Sequence, residues 1–333
     1  MVGLDNGGTC NNATVLDDTG QFLVDHLVEN PSLVHEGPES AVEQLAEAFN
    51  RILTMTSTPL TLVRAVGLDT PGPASADGVI SSKGSTNFSK VSWHGFDIRS
   101  ALEARIGLPV IYNNDANAAA LYAHHRHFGI IADERSSVAA IVGTGMGGGV
   151  VESGKVVSGA AGMAGELGHV QIPLHGVLED GQPIPQCNCG FEGDVESIAS
   201  LTGIKKNLLP YWLTRFPDHP LAKESIDKAA KMLRGYGEQE DPLALAVFGQ
   251  QARAIGKLFT MAANFTDPDA YFLGGGVVEA APKFRQWFLN TVREHTQLRR
   301  EQIAVATFAL VADLDMAGAR GAAVAALGKV RST

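Results

Sequence analysis

Twice along this chain a short apolar strand runs into a glycine-rich turn, and two further strands follow. The first instance takes residues 1–4 as strand, 6–9 as turn and 13–16 as second strand; Asp17-Asp18-Thr19-Gly20 then turns into a third strand from Gln21. The second takes 137–142 as strand, 143–149 as turn and Val150-Val151 as strand, with Ser153-Gly154 turning into Val156-Val157. The two share an order of elements without obvious residue identity. That organisation is expected of two related lobes, each offering a backbone loop to one shared ligand.

Helices are readable between the strands. Residues 38–56 place Val42, Leu45, Phe49, Ile52 and Leu53 on one helical face. Asp97 is a cap for a helix running to Ile106 and stopped by Gly107 and Pro109. Residues 113–127 are alanine-rich and entered through Asn113-Asn114-Asp115, while 243–265 is apolar on several sides, as in a buried helix. The polar segment 217–242 reads as surface helices and loops, and His124, His125 and His127 as a solvated helix face. Strands and helices alternating in this way predict an α/β fold with mixed sheets.

Composition removes several classes of function. A formal net charge of −10 argues against a non-specific nucleic-acid surface, which needs a basic patch. No apolar run is long enough to span a bilayer, and the first residues lack the basic-then-apolar signature of a signal segment. Three cysteines, two of them one residue apart, form no disulfide framework. A reduced, cytoplasmic protein without a nucleic-acid or membrane partner is the expectation.

Three glycine clusters carry the first chemical signal. Asp5-Asn6-Gly7-Gly8-Thr9 lies between two strands, so it is neither a Walker loop nor a Rossmann fingerprint, both of which open helices. Its glycines let backbone N–H groups approach phosphate oxygens, Thr9 adds a hydroxyl, and Asp5 would face Mg²⁺ or its waters. Alone, it reads as a hairpin turn, since Asn-Gly and Gly-Gly are favoured there. Five glycines among residues 143–149 exceed what a hairpin needs, and Gly274-Gly275-Gly276 follows another apolar strand. Together the three favour a nucleotide clamp, with Gly143, Thr144, Gly145, Gly147, Gly148, Gly274 and Gly275 facing the nucleotide. Asp115, after a strand and at a helix start, suits a general base that takes a hydroxyl proton during attack on phosphorus. It also suits a helix cap, and a cap would hold the carboxylate rigid.

Glu166 to Glu196 gathers carboxylates, an imidazole and two thiols between glycines. Glu166 and Glu196 can each accept from sugar hydroxyls. His169, Cys187 and Cys189 are zinc-type ligands, and Asp194 is the nearest fourth; reduced loop thiols are the alternative. Cys10 has no evident partner and reads as passive.

Taken together, these residues resemble the ROK family, the bacterial group of repressors, open reading frames and sugar kinases. Asp5-x-Gly7-Gly8-Thr9 is similar to its first phosphate loop, Gly67-Leu68-Asp69-Thr70-Pro71-Gly72-Pro73 to its sugar-side turn, and Asn114-Asp115 to its substrate-and-base pair. Residues 143–149 resemble its second phosphate loop, Glu166-x-Gly168-His169 its sugar motif, 273–277 its adenosine-side turn, and Cys187-x-Cys189-Gly190-x-x-Gly193 its zinc motif. The resemblance implies a two-lobed actin-like ATPase (ribonuclease H-like) fold with the active site in the interlobe cleft. The lobes would be residues 1–113 plus 315–333 and residues 114–314, with the helix near 316–327 returning to the first. It further implies ATP- and Mg²⁺-dependent phosphorylation of a hexose, with Asp115 as base, structural zinc, and a homodimer. Implied sugar contacts are Gly72, Asn87, Asn114, Asp115, Glu166, His169 and Glu196, in a pattern that matches glucose. N-acetylmannosamine, N-acetylglucosamine and allose stay open as substrates, and polyphosphate as donor. A ROK-type regulator fits less well, since only four residues precede Asp5 and the charge is acidic. Two positions depart from the family: Asp194 stands where its zinc motif has cysteine, and Cys10-Asn11-Asn12 where many members carry lysine.

Overall fold

The structure, a computed structural model, describes residues 1–72, 74–81, 87–311 and 313–332. Its first half contains β1 (Val2–Asn6), β2 (Cys10–Val15), β3 (Val28–Pro31), α1 (Pro38–Met55), β4 (Val66–Thr70), α2 (Ile98–Ile106), β5 (Val110–Asn114), α3 (Asp115–Phe128), β6 (Ser137–Val142), β7 (Met146–Glu152) and β8 (Lys155–Val156). Then come α4 (Glu196–Ala199), α5 (Leu201–Gly203), α6 (Leu209–Arg215), α7 (Ile226–Glu238), α8 (Pro242–Phe265), β9 (Ala270–Gly275), α9 (Pro282–Glu294), α10 (Arg300–Ile303), β10 (Thr307–Leu310) and α11 (Leu314–Arg331). They gather into two compact units. One comprises Met1–Arg135, Gly149–Gly165 and Asp313–Thr333, the other Ser136–Gly148 and Glu166–Ala312. These ranges differ from the lobes expected at residues 113 and 315: α3 stays with the N-terminal strands because it packs on α11.

In the first unit the sheet order is β3-β2-β1-β4-β5; β1, β4 and β5 run parallel, and β2 is antiparallel to both its neighbours. Alternation divides its faces. Val2, Leu4, Ala13 and Val15 join the apolar stripe of α1 (Val42, Leu45, Phe49, Ile52) in one core. Gly3 and Gly67 serve the opposite face, where a Cβ would stand 1.9 Å from the Ala319 carbonyl and 1.8 Å from that of Ala322. Only glycine lets α11 lie this close to β1 and β4. Helix α2 starts on Asp97, which accepts from the Ser100 N–H at 2.8 Å, and ends at left-handed Gly107.

Four local expectations change. No strand starts at Gln21; Phe22 makes a single bridge to Leu16 and the third strand begins at Val28. Residues 146–149 are strand, so the second turn is confined to Gly143–Gly145. There Gly148 and Gly149 serve close packing, against the Ala139 carbonyl and Asn117. The cap of α3 is Asn114, which accepts from the Asn117 N–H at 2.8 Å, and Asp115 is the first helical residue. His124 is fully buried, its Nε2 2.8 Å from the Ala132 carbonyl, and thus belongs to the interior of its unit.

The other sheet has the order β10-β9-β6-β7-β8, with β9 parallel to both β6 and β10. Helices α8 and α9 pack on each other, and the Tyr271 and Phe308 rings stack at 4.7 Å. Buried Leu243, Val247, Ile255 and Phe259 explain the apolar run of α8, which Asp241 caps at 3.0 Å from the Ala244 N–H. Among the described residues no helix is long and apolar enough to cross a membrane.

Candidate active site

In the first unit the turn after β1 closes through a Gly7 N–H to Cys10 carbonyl bond of 3.0 Å, and the Thr9 carbonyl accepts from Ser32. A Cβ at Gly8 would lie 2.6 Å from Asn87 Oδ1, so the bare backbone there admits the Asn87 amide. Two expected residues, Gly8 and Asn87, are thereby brought together. Gly72 takes a positive φ of 86°; Pro73 of the same motif lies outside the described residues. Asn114 and Asp115 sit at the β5–α3 junction, where Asp115 Oδ1 accepts from the Ala116 N–H at 2.7 Å and the residue stays exposed.

Asp5 is tied to Asn12, whose Nδ2 donates to Oδ2 at 2.9 Å. Burial lifts the Asp5 carboxyl to about 6, against that hydrogen bond. Its register partner on β4 is Asp69, fully buried. Burial first, then the charges of Asp5 and Asp115, hold Asp69 well above the usual carboxylate range. Neither oxygen of Asp69 has a hydrogen-bond partner.

The second unit builds its turn differently. Gly143 N–H donates to the Gly145 carbonyl at 2.9 Å, and the Gly143 and Thr144 carbonyls accept from Leu201 and Thr202 N–H at 3.0 and 3.1 Å. Thr202 Oγ1 adds a second bond to the Thr144 carbonyl at 2.8 Å. Glu196, at the start of α4, accepts from the Met146 N–H through Oε2 at 2.8 Å. Its other oxygen, Oε1, lies 3.5 Å from Cys187 Sγ. Glu166 and His169 bracket a single helical turn, and Gly168 within it packs so closely on the Met146 carbonyl that a Cβ would meet it at 2.3 Å. Glu166, His169 and Glu196 therefore converge around the end of the second turn.

His169, Cys187, Cys189 and Asp194 put one ligand atom each within 4.8 Å of one another. His169 Nδ1 stands 3.3 Å from Asp194 Oδ2 and 4.0 Å from Cys187 Sγ; Cys189 Sγ stands 3.5 Å from the same Oδ2. Ligands about 2.0–2.3 Å from a tetrahedral ion lie about 3.3–3.8 Å apart. The two contacts to Asp194 meet that spacing, while the 4.0 Å contact and the full spread of 4.8 Å are wider. The donors are of the types zinc takes and would have to draw in to hold it. The remaining oxygen of Asp194 accepts from the Ser197 N–H at 2.8 Å and fixes the carboxylate's direction. Left-handed Gly190 lets the chain double back so that the Cys187 N–H reaches the Phe191 carbonyl at 2.9 Å.

Gly275 closes the third cluster at a φ of 99°, where a Cβ would strike the Val142 carbonyl at 1.8 Å. Beside it a cavity of about 310 Å³ is lined by Thr144, Leu201, Arg234, Phe248, Val277 and Phe284 among others. Arg234 donates to the Gly276 carbonyl and pairs with Glu279, both at 3.0 Å. The contribution of α7 was missed in the sequence, since a polar surface helix carries no motif. Asp69 was missed because only strand register sets it beside Asp5.

The ROK family model matches residues 1–329, and the chain belongs to that family. A glucokinase of Halalkalibacterium halodurans is 31% identical over 302 residues, covering 88% of this chain and 84% of the relative. Among solved structures, the ROK hexokinase from Thermus thermophilus matches with a TM-score of 0.78 and 33% identity over 100% of this chain and 99% of that one. A ROK family glucokinase from Streptomyces griseus, in complex with glucose and AMPPNP, matches at 0.67 and 26%, covering 98% of each chain. The fold is the actin-like ATPase fold of the ROK sugar kinases.

Proposed function

We propose that this chain is an ATP-dependent glucokinase that phosphorylates the 6-hydroxyl, with Asp115 as general base. That it is a hexose kinase rests on its glucokinase relatives, which align along most of its length. The observation that carries the role of Asp115 is its placement at the N-terminus of α3 beside a capped Asn114. There the carboxylate is exposed, yet Asn114's cap and the Ala116 N–H hold the backbone behind it.

In the reaction Asp115 takes the proton of the sugar hydroxyl while that oxygen bonds to the γ-phosphorus and the bond to the ADP oxygen breaks. Gly72, Asn87, Asn114, Glu166, His169 and Glu196 bind sugar hydroxyls, the carboxylates as acceptors. The turn from Asp5 to Thr9 and the turn from Gly143 to Gly145 present N–H groups to phosphate. Of the glycines after Met146, Gly147 contributes from strand, while Gly148 is taken up by packing against the Ala139 carbonyl. The cavity beside Gly274, Gly275 and Val277 takes the adenosine. Asp5 would face Mg²⁺, which when bound would neutralise phosphate charge. Zinc at His169, Cys187, Cys189 and Asp194 is structural, holding the loop from which Glu196 emerges. A cytoplasmic homodimer completes the reading.

An ADP-release assay over glucose, N-acetylglucosamine, N-acetylmannosamine and allose, with ATP and polyphosphate as donors, tests it. The expected result is ATP-dependent turnover greatest on glucose. Equal or greater turnover on another sugar would replace glucose, and wild-type turnover by Asp115→Asn would remove Asp115 as base.

A further inference from the structure

Four side chains form one row across the first unit's sheet: Asn12 opposite Asp5, Asp5 opposite Asp69, and Asp69 opposite Asn113. Register partners point to the same face. This is the face covered by α11, because Gly3 and Gly67, two residues earlier on the same strands, lie beneath its carbonyls. Above the row α11 places Gly318. A Cβ there would come within 2.9 Å of Asp69 Oδ2 and 3.0 Å of Asp5 Cγ, so the absent side chain leaves a cradle directly over both carboxyl groups.

The row is short of partners. Both oxygens of Asp69, Oδ1 of Asn12 and Nδ2 of Asn113 are buried without a hydrogen bond, and Asp5 accepts only from Asn12 among the bonds recorded. Two carboxylates cannot be desolvated side by side without neutralisation, by a proton or by a cation. A proton would neutralise the charge but leave the Asp69 oxygens short of partners, whereas a cation would take them as ligands. What lies next to the cradle is the carboxyl groups of Asp69 and Asp5, whose oxygens are the donors that Mg²⁺-type ions take.

We propose that Asp5 and Asp69 together hold a hard divalent cation in this cradle, and that it binds without nucleotide. Asp69 thus joins Asp5 as a second carboxylate, and the inference rests on Asp5 being the magnesium-facing residue. The consequence is a kinase that carries its cation before ATP arrives.

The test uses MnCl₂ alone, with free Mn²⁺ followed by its electron paramagnetic resonance signal, on zinc-loaded protein. Wild type is expected to take up about one Mn²⁺ without nucleotide, and Asp69→Asn to bind it at least tenfold more weakly. Gly318→Ala, which removes no ligand but fills the cradle, is expected to weaken binding likewise. Circular dichroism checks that both variants are folded. No nucleotide-free uptake by wild type overturns the proposal whatever the variants do, as does uptake unchanged in a folded Asp69→Asn. A parallel titration with AMPPNP separates the two readings. Uptake that needs nucleotide and is lost in Asp5→Asn, but kept in Asp69→Asn, leaves Asp5 in place and removes Asp69. Uptake with nucleotide unaffected by Asp5→Asn removes the reading of Asp5 as well.

Discussion

The two glycine turns follow the same kind of strand and are held in opposite ways. The turn after β1 has few tethers and lies beside the buried Asp69, neither of whose carboxyl oxygens has a hydrogen-bond partner. The turn after β6 is fastened by the start of α5, by Thr202 and by Glu196, whose second oxygen reaches the cysteine cluster. An unsatisfied polar group is poised to meet something that arrives; a satisfied one holds what is already there. Chemistry is accordingly expected from the first region and grip from the second, and each can be disturbed separately.

The largest effect is expected at Asp115. Asp115→Asn should lower kcat by about 10²–10⁴ with little change in either KM, because only proton transfer is lost. Steady-state kinetics check this, and a raised KM at unchanged kcat would break the division between the regions. Next comes the metal cluster. Cys187→Ser, or stripping with a chelator, should leave well under half an equivalent of zinc by elemental analysis and lower the melting temperature by about 5–10 °C. Because Cys187 abuts Glu196, KM should rise in the same preparations. Full zinc content in the variant would remove Cys187 as a ligand.

Glu196→Gln comes third. The amide can still accept from Met146 but loses its charge, so KM is expected to rise about three- to tenfold with zinc retained and kcat nearly intact. A collapse of kcat alone would move Glu196 to the chemical side of the comparison. Thr202→Val should do least. It deletes one hydroxyl bond to the Thr144 carbonyl while the backbone N–H bond remains, and KM for ATP should shift by about twofold or less.

Most helices and the capped start of α2 were legible because periodicity and caps are local signals. The cluster of His169, Cys187, Cys189 and Asp194 was legible as well, its four residues lying within one stretch of sequence and meeting in space. What failed was the meaning of glycine. A run such as residues 147–149 reads as a turn, yet a glycine needed for close packing in a strand has the same letter as one needed for a bend. Histidine gave the same ambiguity: beside His125 and His127, His124 looked solvated, but helix phase turns it inward to the Ala132 carbonyl. Asp69 sat inside a quoted motif without attracting notice, since its neighbour Asp5 lies 64 positions away and only parallel pairing joins them.

The intimacy between α11 and the strands of the first unit also bears on how the chain is made. Residues 2–6 and 66–70 reach the ribosome exit early, but the helix that covers them spans residues 314–331. Until it emerges, Gly3, Gly67 and the buried carboxyls beside them stand open to water, and the sheet that holds them waits half-clad. Strands β6 to β10 and helices α4 to α10 lie within residues 137–310, so they can close on one another before α11 is made.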